Sequence, residues 1–309
     1  MRCLAKPVPP HVVAVRPAVR KRLGKLPALV PHGAVLGDSL TPSEQSPTNE
    51  AKPVRVGSAL VHIGTSGWHY KHWVGDFYPP RFAPAKMLAW YAREFHTVEV
   101  NNSFYRLPEE KTFRDWAEIV PPGFIFAVKA SRFLTHIKRL KDAQDPINLF
   151  FSRAKHLGSR LGPVLFQLPP KWKSDLGRLG EFLALLPKKH QYAIEFRDES
   201  WYTEQIRDLL SRHNVALCVH DWHAADWARD LTANFTYVRF HGTSGRYAGN
   251  YPDDLLNNWA GQIQSWASEL SEIYLYFNND VGGHAVRNAR ALRTVLQGLA
   301  LASGRDQAA

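Results

Sequence analysis

Residues 192–197 read Tyr-Ala-Ile-Glu-Phe-Arg, and large apolar side chains alternate along this segment with smaller or charged ones. Successive side chains of a β-strand face opposite sides, so Ile194 and Phe196 share one face while Glu195 and Arg197 share the other. In a barrel of parallel strands the outward face packs against helices, and inward side chains at the carboxyl ends of the strands form the active site. The segment therefore predicts a strand that carries a carboxylate and a guanidinium into such a site.

Seven other segments have a similar β-branched and aromatic composition, and amphipathic segments separate them. The eight predicted strands cover residues 61–66, 97–101, 124–130, 163–168, 192–197, 216–220, 237–241 and 273–278. The predicted helices cover residues 84–95, 109–120, 147–157, 176–186, 201–213, 253–270 and 283–299. This order and size predict an α/β protein of the TIM (β/α)8 barrel type. A doubly wound open sheet is the alternative, but the glycine motifs of dinucleotide-binding folds and P-loops are absent.

Composition excludes several classes of protein. The chain has 309 residues, of which 45% are hydrophobic and 22% charged, and its formal net charge is +11. These values are typical of a soluble globular protein, and no apolar run approaches the roughly 18 residues of a membrane-spanning helix. Two cysteines, Cys3 and Cys218, cannot form a disulfide framework. We therefore expect a cytoplasmic protein without membrane association, and its oligomeric state stays open.

Residues 1–55 form a basic, proline-rich segment with nine of the 21 prolines and nine basic against three acidic residues. Such a segment buries too little apolar surface to offset its ordering entropy, which predicts a disordered N-terminal extension. An organellar transit peptide is the rival interpretation, although the first 37 residues lack serine, which fits it poorly. A secretory signal fits less well, because Pro and Arg interrupt every apolar run. The barrel is then expected over residues 56–300, followed by a flexible tail over residues 301–309.

Polar residues occupy the predicted inward positions at the carboxyl end of every strand. The catalytic candidates are Glu99, Lys129, Glu195, Arg197, His220, Asp221, Arg239 and His241. Five of them carry the carboxylate and imidazole groups that bind divalent metals, namely Glu99, Glu195, His220, Asp221 and His241. A divalent metal cofactor is therefore considered, although no spacing among these residues is diagnostic of one. The alternative is a structural network of buried ion pairs.

Loops at the same end of the predicted barrel add candidates for ligand binding. The aromatic and basic run at residues 67–73 could stack on bases or sugars, or it could be a lid that packs on the barrel. Glycine-rich loops after the last two strands suggest an anion site. The ligand-binding candidates are Ser66, Trp68, Tyr70, Asn101, Tyr105, Gln167, Gly242, Arg246, Tyr276, Asn278 and Asn279.

Six short motifs together resemble one known family. They are IGTSGW at 63–68, TVEVNNSFYR at 97–106, FQLPP at 166–170, EFR at 195–197, HD at 220–221 and YFNND at 276–280. With them the chain closely resembles the YecE-like family, domain of unknown function 72, over roughly residues 60–297. The resemblance implies a TIM-barrel fold and a bacterial-type cytoplasmic protein, but it implies no reaction. The segment before residue 56 lies outside the family pattern.

The favoured hypothesis is a hydrolase of phosphate esters in nucleic acid or nucleotides, with or without a metal. Lys129, Arg197, Arg239 and Arg246 would stabilise transition-state charge, and the basic extension would add affinity for a phosphate backbone. One alternative is a metal-free carbohydrate-active enzyme that uses Glu99 and Glu195, although nearby cations would lower the pKa of its general acid. Another is a non-catalytic barrel that binds a ligand or nucleic acid. A third is an isomerase or lyase in which Lys129 forms a Schiff base.

Overall fold

A computed structural model of the chain describes residues 51–221, 230–245 and 247–306, with side chains described as far as residue 302. Residues 1–50 of the predicted extension, which was expected over residues 1–55, and the predicted ligand-binding Arg246 lie outside the described residues. None of the described helices combines the length and apolar composition needed to cross a bilayer.

Ten strands in the described residues form two five-stranded sheets. They are β1 (Val54–Val56), β2 (Ala59–Thr65), β3 (Thr97–Val100), β4 (Ile125–Lys129), β5 (Leu161–Gln167), β6 (Tyr192–Glu195), β7 (Val215–Leu217), β8 (Val219–His220), β9 (Phe235–Phe240) and β10 (Glu272–Phe277). The sheet orders are β1-β2-β10-β9-β8 and β3-β4-β5-β6-β7. Only the β1–β2 pair is antiparallel among the described ladders. The α/β class with parallel strands is confirmed, while the ladders form two sheets instead of one closed barrel.

Helices follow most of the strands along the chain. They are α1 (Met87–Tyr91), α2 (Asn102–Tyr105), α3 (Glu110–Ile119), α4 (Gln144–Ala154), α5 (Leu176–Ala184), α6 (Glu204–Arg212), α7 (Asp253–Trp266) and α8 (His284–Asp306). Local sequence explains where some begin. Thr203 caps α6 by accepting the Ile206 N–H, and Asp175 caps α5 by accepting the Arg178 N–H. Such side chains satisfy backbone donors that have no partner inside the helix.

The two faces of the strands bury into two separate apolar clusters, as the alternation predicted. Ile194 and Phe196 belong to the larger cluster. The smaller cluster collects inward residues: Ala127, Leu165, Ala193, Ala216, Cys218, Phe235, Tyr237, Tyr274 and Tyr276. Small side chains on β4, β6 and β7 accompany the large tyrosines of β9 and β10, which suits a closely packed interior.

The described strands and helices extend beyond the predicted boundaries of 56 and 300. Strand β1 begins at Val54 and pairs with β2 in a hairpin, so Val54 and Val56 are only 6% and 4% exposed. Helix α8 continues to Asp306, because the leucines and alanines of residues 299–302 are strong helix formers. The predicted flexible tail is therefore helical as far as the structure describes it.

Candidate functional site

Arg239, on β9, lies at the centre of a buried ion-pair network. Its Nε and Nη2 donate to Glu99 Oε2 and Oε1 at 2.9 and 2.8 Å, and its Nη1 donates to Glu195 Oε2 at 2.7 Å. The three side chains are at most 1% exposed. One planar guanidinium thus joins a carboxylate from β3 to a carboxylate from β6, which the fork of donors in arginine allows and a lysine would not.

Every oxygen of the Glu99 carboxylate accepts two hydrogen bonds. Besides Arg239, Ser66 Oγ donates to Oε1 at 2.5 Å and Tyr237 OH donates to Oε2 at 2.7 Å. Ser66 directly follows β2 and Glu99 lies in β3, and the two residues also form a parallel β-bridge. The Ser66 hydroxyl thus has a structural partner in Glu99, and its predicted ligand contact stays a prediction.

Glu195 connects the network to Lys129. Its Oε1 accepts from Gln167 Nε2 at 3.0 Å and forms an ion pair with Arg197 Nη2. Gln167 Oε1 in turn accepts from Lys129 Nζ at 3.0 Å. The amide of Gln167 thereby lies between a carboxylate and an amine, and its two hydrogen bonds fix the position of the lysine.

The two carboxylates of the network are ionised. Burial on its own would raise the pKa of Glu99 and of Glu195, but Arg239 beside both, and Arg197 beside Glu195, hold each pKa below its ordinary value. A glycosidase needs one carboxyl group that remains protonated to act as general acid. Neither glutamate meets that requirement in this arrangement.

Lys129 differs from an ordinary lysine because it is buried. It is 7% exposed, and its Nζ lies 4.4 Å from the centroid of the Phe104 ring. Burial lowers the pKa of Lys129 to about 7, and the nearby Arg239 and Arg197 act in the same direction against Glu195 and Glu99. The uncharged amine is therefore far more populated at neutral pH than in an ordinary lysine.

A pocket of about 540 Å³ opens over Lys129. Its described lining residues are Phe104, Tyr105, Lys129, Arg132, His136, Gln167, Leu168, Pro170, Arg197 and Tyr247. These include three basic side chains, and none of them is an aspartate or glutamate. Tyr105 is 73% exposed and marks the mouth of the pocket. The volume suits a small molecule.

A short π-helix, Phe133–Ile137, forms part of the pocket wall after β4. Arg132 directly precedes it, and His136 lies within it, with Nδ1 at 2.9 Å from Thr135 Oγ1. Such turns are rare and are found frequently at functional sites. Burial, followed by the charges of Lys129 and Arg132, lowers the pKa of His136 to about 4, so this imidazole is neutral at pH 7.

His241 lies between the network and the last strand. Arg197 Nη2 donates to its Nε2 at 3.0 Å, and Asn278 Nδ2 lies 3.4 Å from its Nδ1. Burial and the charge of Arg239 lower the pKa of His241 to about 2, against the opposing charge of Glu195. The imidazole is therefore neutral and orients Arg197.

His220 and Asp221 serve packing and loop geometry. His220 Nε2 lies 3.0 Å from Tyr202 OH and 3.2 Å from the Phe196 carbonyl oxygen. Asp221 accepts the His241 N–H at 3.0 and 3.1 Å and the hydroxyl of Tyr251, and burial raises its pKa. Both side chains thus face protein groups.

The metal site predicted from Glu99, Glu195, His220, Asp221 and His241 is not assembled. Within residues 51–221, 230–245 and 247–306, no three His, Cys, Asp or Glu side chains are grouped as a metal ion requires. The physical reason is that Arg239 lies between the two glutamates, while Asp221 faces a backbone amide. The five candidates therefore do not form a metal-binding group within the described part of the chain, and a divalent metal cofactor stays an untested expectation.

The loop after β2 packs on the protein. The Trp68 ring meets Trp116 edge-on at 5.2 Å, and Tyr70 OH donates to the Ser66 carbonyl oxygen at 2.5 Å. Trp73 is fully buried and donates from Nε1 to the Asp280 carbonyl oxygen at 3.0 Å. These contacts favour the packed-lid interpretation of this loop over aromatic stacking on a ligand.

The loops after β9 and β10 hold each other in place. Gly242 has φ +110°, and a Cβ atom there would lie 2.1 Å from the Ala248 carbonyl oxygen, so no larger residue fits. Its N–H donates to Tyr251 OH at 2.8 Å, while Asn279 Nδ2 donates to the Gly249 carbonyl oxygen at 2.8 Å. Gly242 and Asn279 therefore shape the loops. The Gly242 N–H and the Asn279 side-chain amide, which were predicted to contact an anion, donate to protein groups instead.

Of two more predicted ligand residues, Tyr276 is buried and Asn101 is partly buried. Tyr276 OH lies 2.8 Å from Thr97 Oγ1. Asn101 is at the start of α2, and its buried Oδ1 has no hydrogen-bond partner among the described residues. Neither residue lines the pocket over Lys129.

Six pocket residues were not predicted, namely Phe104, Arg132, His136, Leu168, Pro170 and Tyr247. Arg132 follows the predicted inward residue Ser131, so the rule that places site residues after strand ends could have found it. His136 depends on the π-helix, for which the sequence offers no periodic signal. The expected site covers the carboxyl ends of all the predicted strands, and the pocket lies to one side of it.

Comparisons with known proteins agree on one family. The model of the family described as "Protein of unknown function DUF72" matches residues 62–308. The UPF0759 protein YunF of Bacillus subtilis is 27% identical over 276 residues, covering 77% of this chain and 95% of YunF. The UPF0759 protein YecE of Escherichia coli K12 is 28% identical over 245 residues, covering 71% of this chain and 86% of YecE.

Solved structures show the same fold. The crystal structure of a DUF72 family protein from Thermotoga maritima gives a TM-score of 0.70 at 28% identity and covers 77% of this chain and 99% of its own. One from Enterococcus faecalis gives a TM-score of 0.67 at 20% identity and covers 76% and 95%. These descriptions name no reaction.

Proposed function

The chain belongs to the DUF72 family, whose description assigns no reaction, and we propose from its own site that it binds and transforms a small phosphorylated molecule. The observation that carries this proposal is the lining of the pocket over Lys129. Three basic side chains, Lys129, Arg132 and Arg197, line it together, and its described lining contains no carboxylate. Arg132 gives the pocket a positive charge, and Arg197, although paired with Glu195, and Lys129 add hydrogen-bond donors, so the pocket attracts an anion.

A phosphate group fits these side chains better than an uncharged ligand does. Guanidinium groups match the geometry of phosphate oxygens, and their hydrogen bonds to an ionised acceptor are stronger than neutral ones. The volume of about 540 Å³ corresponds to a nucleotide or sugar phosphate and does not require a polymer.

Hydrolysis of a phosphate ester, the reaction favoured from the sequence, would use these cations to stabilise transition-state charge. It also needs a base for the attacking water, and Glu99 and Glu195 are both held by Arg239. We therefore treat hydrolysis as a reaction to be tested on the bound ligand. The carbohydrate-active alternative receives no support, because it requires a protonated carboxyl group.

We further propose that the two sheets are halves of one TIM barrel in a cytoplasmic protein. The Ser66–Glu99 bridge joins the sheets on one side. On the other side, β7 and β8 are separated only by Cys218, whose N–H donates to the Ile194 carbonyl oxygen at 2.8 Å. Close approach of β2 to β3 is supported by Gly64, where a Cβ atom would lie 2.3 Å from the Thr97 carbonyl oxygen.

Calorimetric titration of the full chain with AMP and with adenosine tests the binding function. AMP should bind at least tenfold more tightly than adenosine, and added salt should weaken only AMP. Arg132→Gln should weaken AMP binding by about 10- to 150-fold, because a hydrogen bond to a charged group contributes about 1.5–3 kcal/mol. Release of inorganic phosphate from the same samples reports hydrolysis.

Arg139→Gln is the matched control, since Arg139 is an exposed arginine shortly after the same π-helix and does not line the pocket. It should change AMP affinity less than twofold. Equal affinities for AMP and adenosine, or equal effects of the two arginine substitutions, would contradict the proposed function.

A further inference from the structure

Lys129 is the one amine that lines the pocket in the described residues. Its Nζ is held from one side by Gln167 Oε1 at 3.0 Å and from another by the Phe104 ring at 4.4 Å. One N–H donates to the amide oxygen, so an uncharged Lys129 retains its lone pair for another partner. The amine is thus positioned before any ligand arrives.

The charges around Lys129 explain why it need not be protonated. Two carboxylates, Glu99 and Glu195, are already matched by two guanidiniums, Arg239 and Arg197. A protonated Lys129 would be a third cation in a buried site with two anions, which is costly in a medium of low polarity. His136, the other titratable group of the pocket wall with a shifted pKa, is neutral at pH 7 and supplies no negative charge.

We propose that Lys129 is the nucleophile of this site and forms an imine with the carbonyl group of a phosphorylated aldehyde or ketone. This inference rests on the proposed function, because Arg132 and Arg197 would hold the phosphate while the carbonyl group reaches Lys129. It assigns a reaction class to the pocket: chemistry at the carbon atoms next to the carbonyl group, not cleavage of the phosphate ester. An amine at pKa about 7 has enough free base at neutral pH for this role.

The imine step balances without any further reactant. The lone pair of Lys129 Nζ attacks the carbonyl carbon, a C–N bond forms, and the carbonyl π electrons move to oxygen, which takes up a proton. Nitrogen then releases a proton. The carbinolamine hydroxyl takes up a proton and leaves as water while the nitrogen lone pair forms the C=N bond, and the resulting iminium nitrogen releases its proton. The product is a C=N bond and one water molecule, with no oxidation or reduction.

Pyridoxal 5′-phosphate is a suitable probe because it combines an aldehyde with a phosphate. The full chain is incubated with one equivalent at pH 7 and treated with borohydride, whose hydride reduces the C=N bond to a stable secondary amine. Peptide mapping by mass spectrometry then gives the fraction modified at each lysine. Lys138, which directly follows the π-helix and does not line this pocket, is the internal reference.

The expected result is at least tenfold more modification at Lys129 than at Lys138. Lys129→Met, which keeps an unbranched side chain without the amine, should abolish the selective modification, whereas Lys138→Met should leave it unchanged. Inorganic phosphate and Arg132→Gln should each reduce it at least threefold. Modification spread evenly over the lysines, in a chain that still binds AMP, would overturn the nucleophile and leave the proposed binding function intact.

Pyridoxal, which lacks the phosphate, separates the two ideas. If pyridoxal modifies Lys129 as efficiently as pyridoxal 5′-phosphate does, and inorganic phosphate does not compete, the phosphate site is refuted. Because the wild-type chain alone decides these outcomes, the test does not depend on the folding of Lys129→Met.

Discussion

The buried network makes a strong prediction for the substitution Arg239→Met. Methionine has a similar length and fills the space of the arginine stem without its charge. The substitution removes the three hydrogen bonds from Arg239 to the two carboxylates, which are both fully buried. Glu195 keeps Arg197 and Gln167, but Glu99 loses its cation partner and keeps only two hydroxyl donors.

The size of the effect follows from that asymmetry. Removing one partner of a buried ion pair costs about 3–5 kcal/mol, because the remaining charge is left without compensation. Most of this cost should arise at Glu99. For a protein of this size, a loss of that magnitude lowers the melting temperature by roughly 6–20 °C, at about 2–4 °C per kcal/mol.

The loss of stability in Arg239→Met should grow with pH. In the wild type the pKa of Glu99 is lowered in the folded state, so its contribution is present above the unfolded pKa of about 4.3 and is lost as pH falls through the folded value. Without Arg239, burial raises the folded pKa above the unfolded one. The stability of the variant is then complete below about pH 4.3 and is lost as pH rises through the raised pKa.

Urea unfolding at pH 5, 6, 7 and 8 measures this difference. The matched control is Arg290→Met, which removes an arginine that is 46% exposed in its ion pair with Glu94 and should cost less than about 1 kcal/mol. The double variant Glu99→Gln with Arg239→Met should recover at least about 1 kcal/mol relative to Arg239→Met alone, since it removes the uncompensated charge. The ion-pair reasoning would be refuted if the loss of unfolding free energy were equal in the two arginine variants or independent of pH. It would also be refuted if Glu99→Gln did not reduce that loss.

Two further predictions concern groups outside the pocket. Tyr91→Phe should lower stability by about 1–3 kcal/mol in urea unfolding, because Tyr91 OH accepts from Thr65 N–H and Oγ1 and donates to the Thr97 carbonyl oxygen, all at 3.0 Å in a buried site. Burial, with the nearby His62, holds the pKa of His96 well below 6.5. Because the unfolded state then binds more protons, stability should fall as pH drops below about 6.5, and His96→Asn should make that slope shallower.

Each of these has a control of the same chemistry. Tyr105→Phe removes a hydroxyl that is on a 73% exposed residue and should change stability by less than about 0.5 kcal/mol. His213→Asn removes an exposed histidine and should leave the slope between pH 6.5 and 5 unaltered. If the buried and the exposed tyrosine variants had equal effects on stability, burial would not be the cause of that effect. The same holds for the slope with pH in the two histidine variants.

Much of the fold could be predicted because every strand follows the same rule, in which successive side chains alternate between the outer and the inner face. Each predicted strand is present, and alternation assigned Ile194 and Phe196 to the outer cluster and Ala193 to the inner one. Strand β1 was missed because three residues following a proline carry too little periodicity. Its stability comes from pairing with β2, a contact that local sequence does not encode.

The sequence predicted which residues of the site meet in the interior more accurately than it predicted how their side chains are arranged. Parity correctly brought Glu99, Glu195 and Arg239 together, and the structural alternative of a buried ion-pair network describes them better than the metal centre does. The choice between those two depends on whether a guanidinium lies between the carboxylates. That is a question of side-chain geometry across the interior, which residue spacing along one chain cannot decide.

The network and the pocket are linked through charge. Had Arg239 and Arg197 been apolar, the two glutamates would need Lys129 as their counterion, and a protonated amine cannot attack a carbonyl carbon. With both guanidiniums present, Glu99 and Glu195 are neutralised without it, and Gln167 connects Lys129 to Glu195 through a neutral amide. The buried ion pairs thus have a role that stability alone does not explain, since apolar residues would pack the interior as well or better. They supply a charge balance in which a lysine at the pocket can remain an uncharged amine.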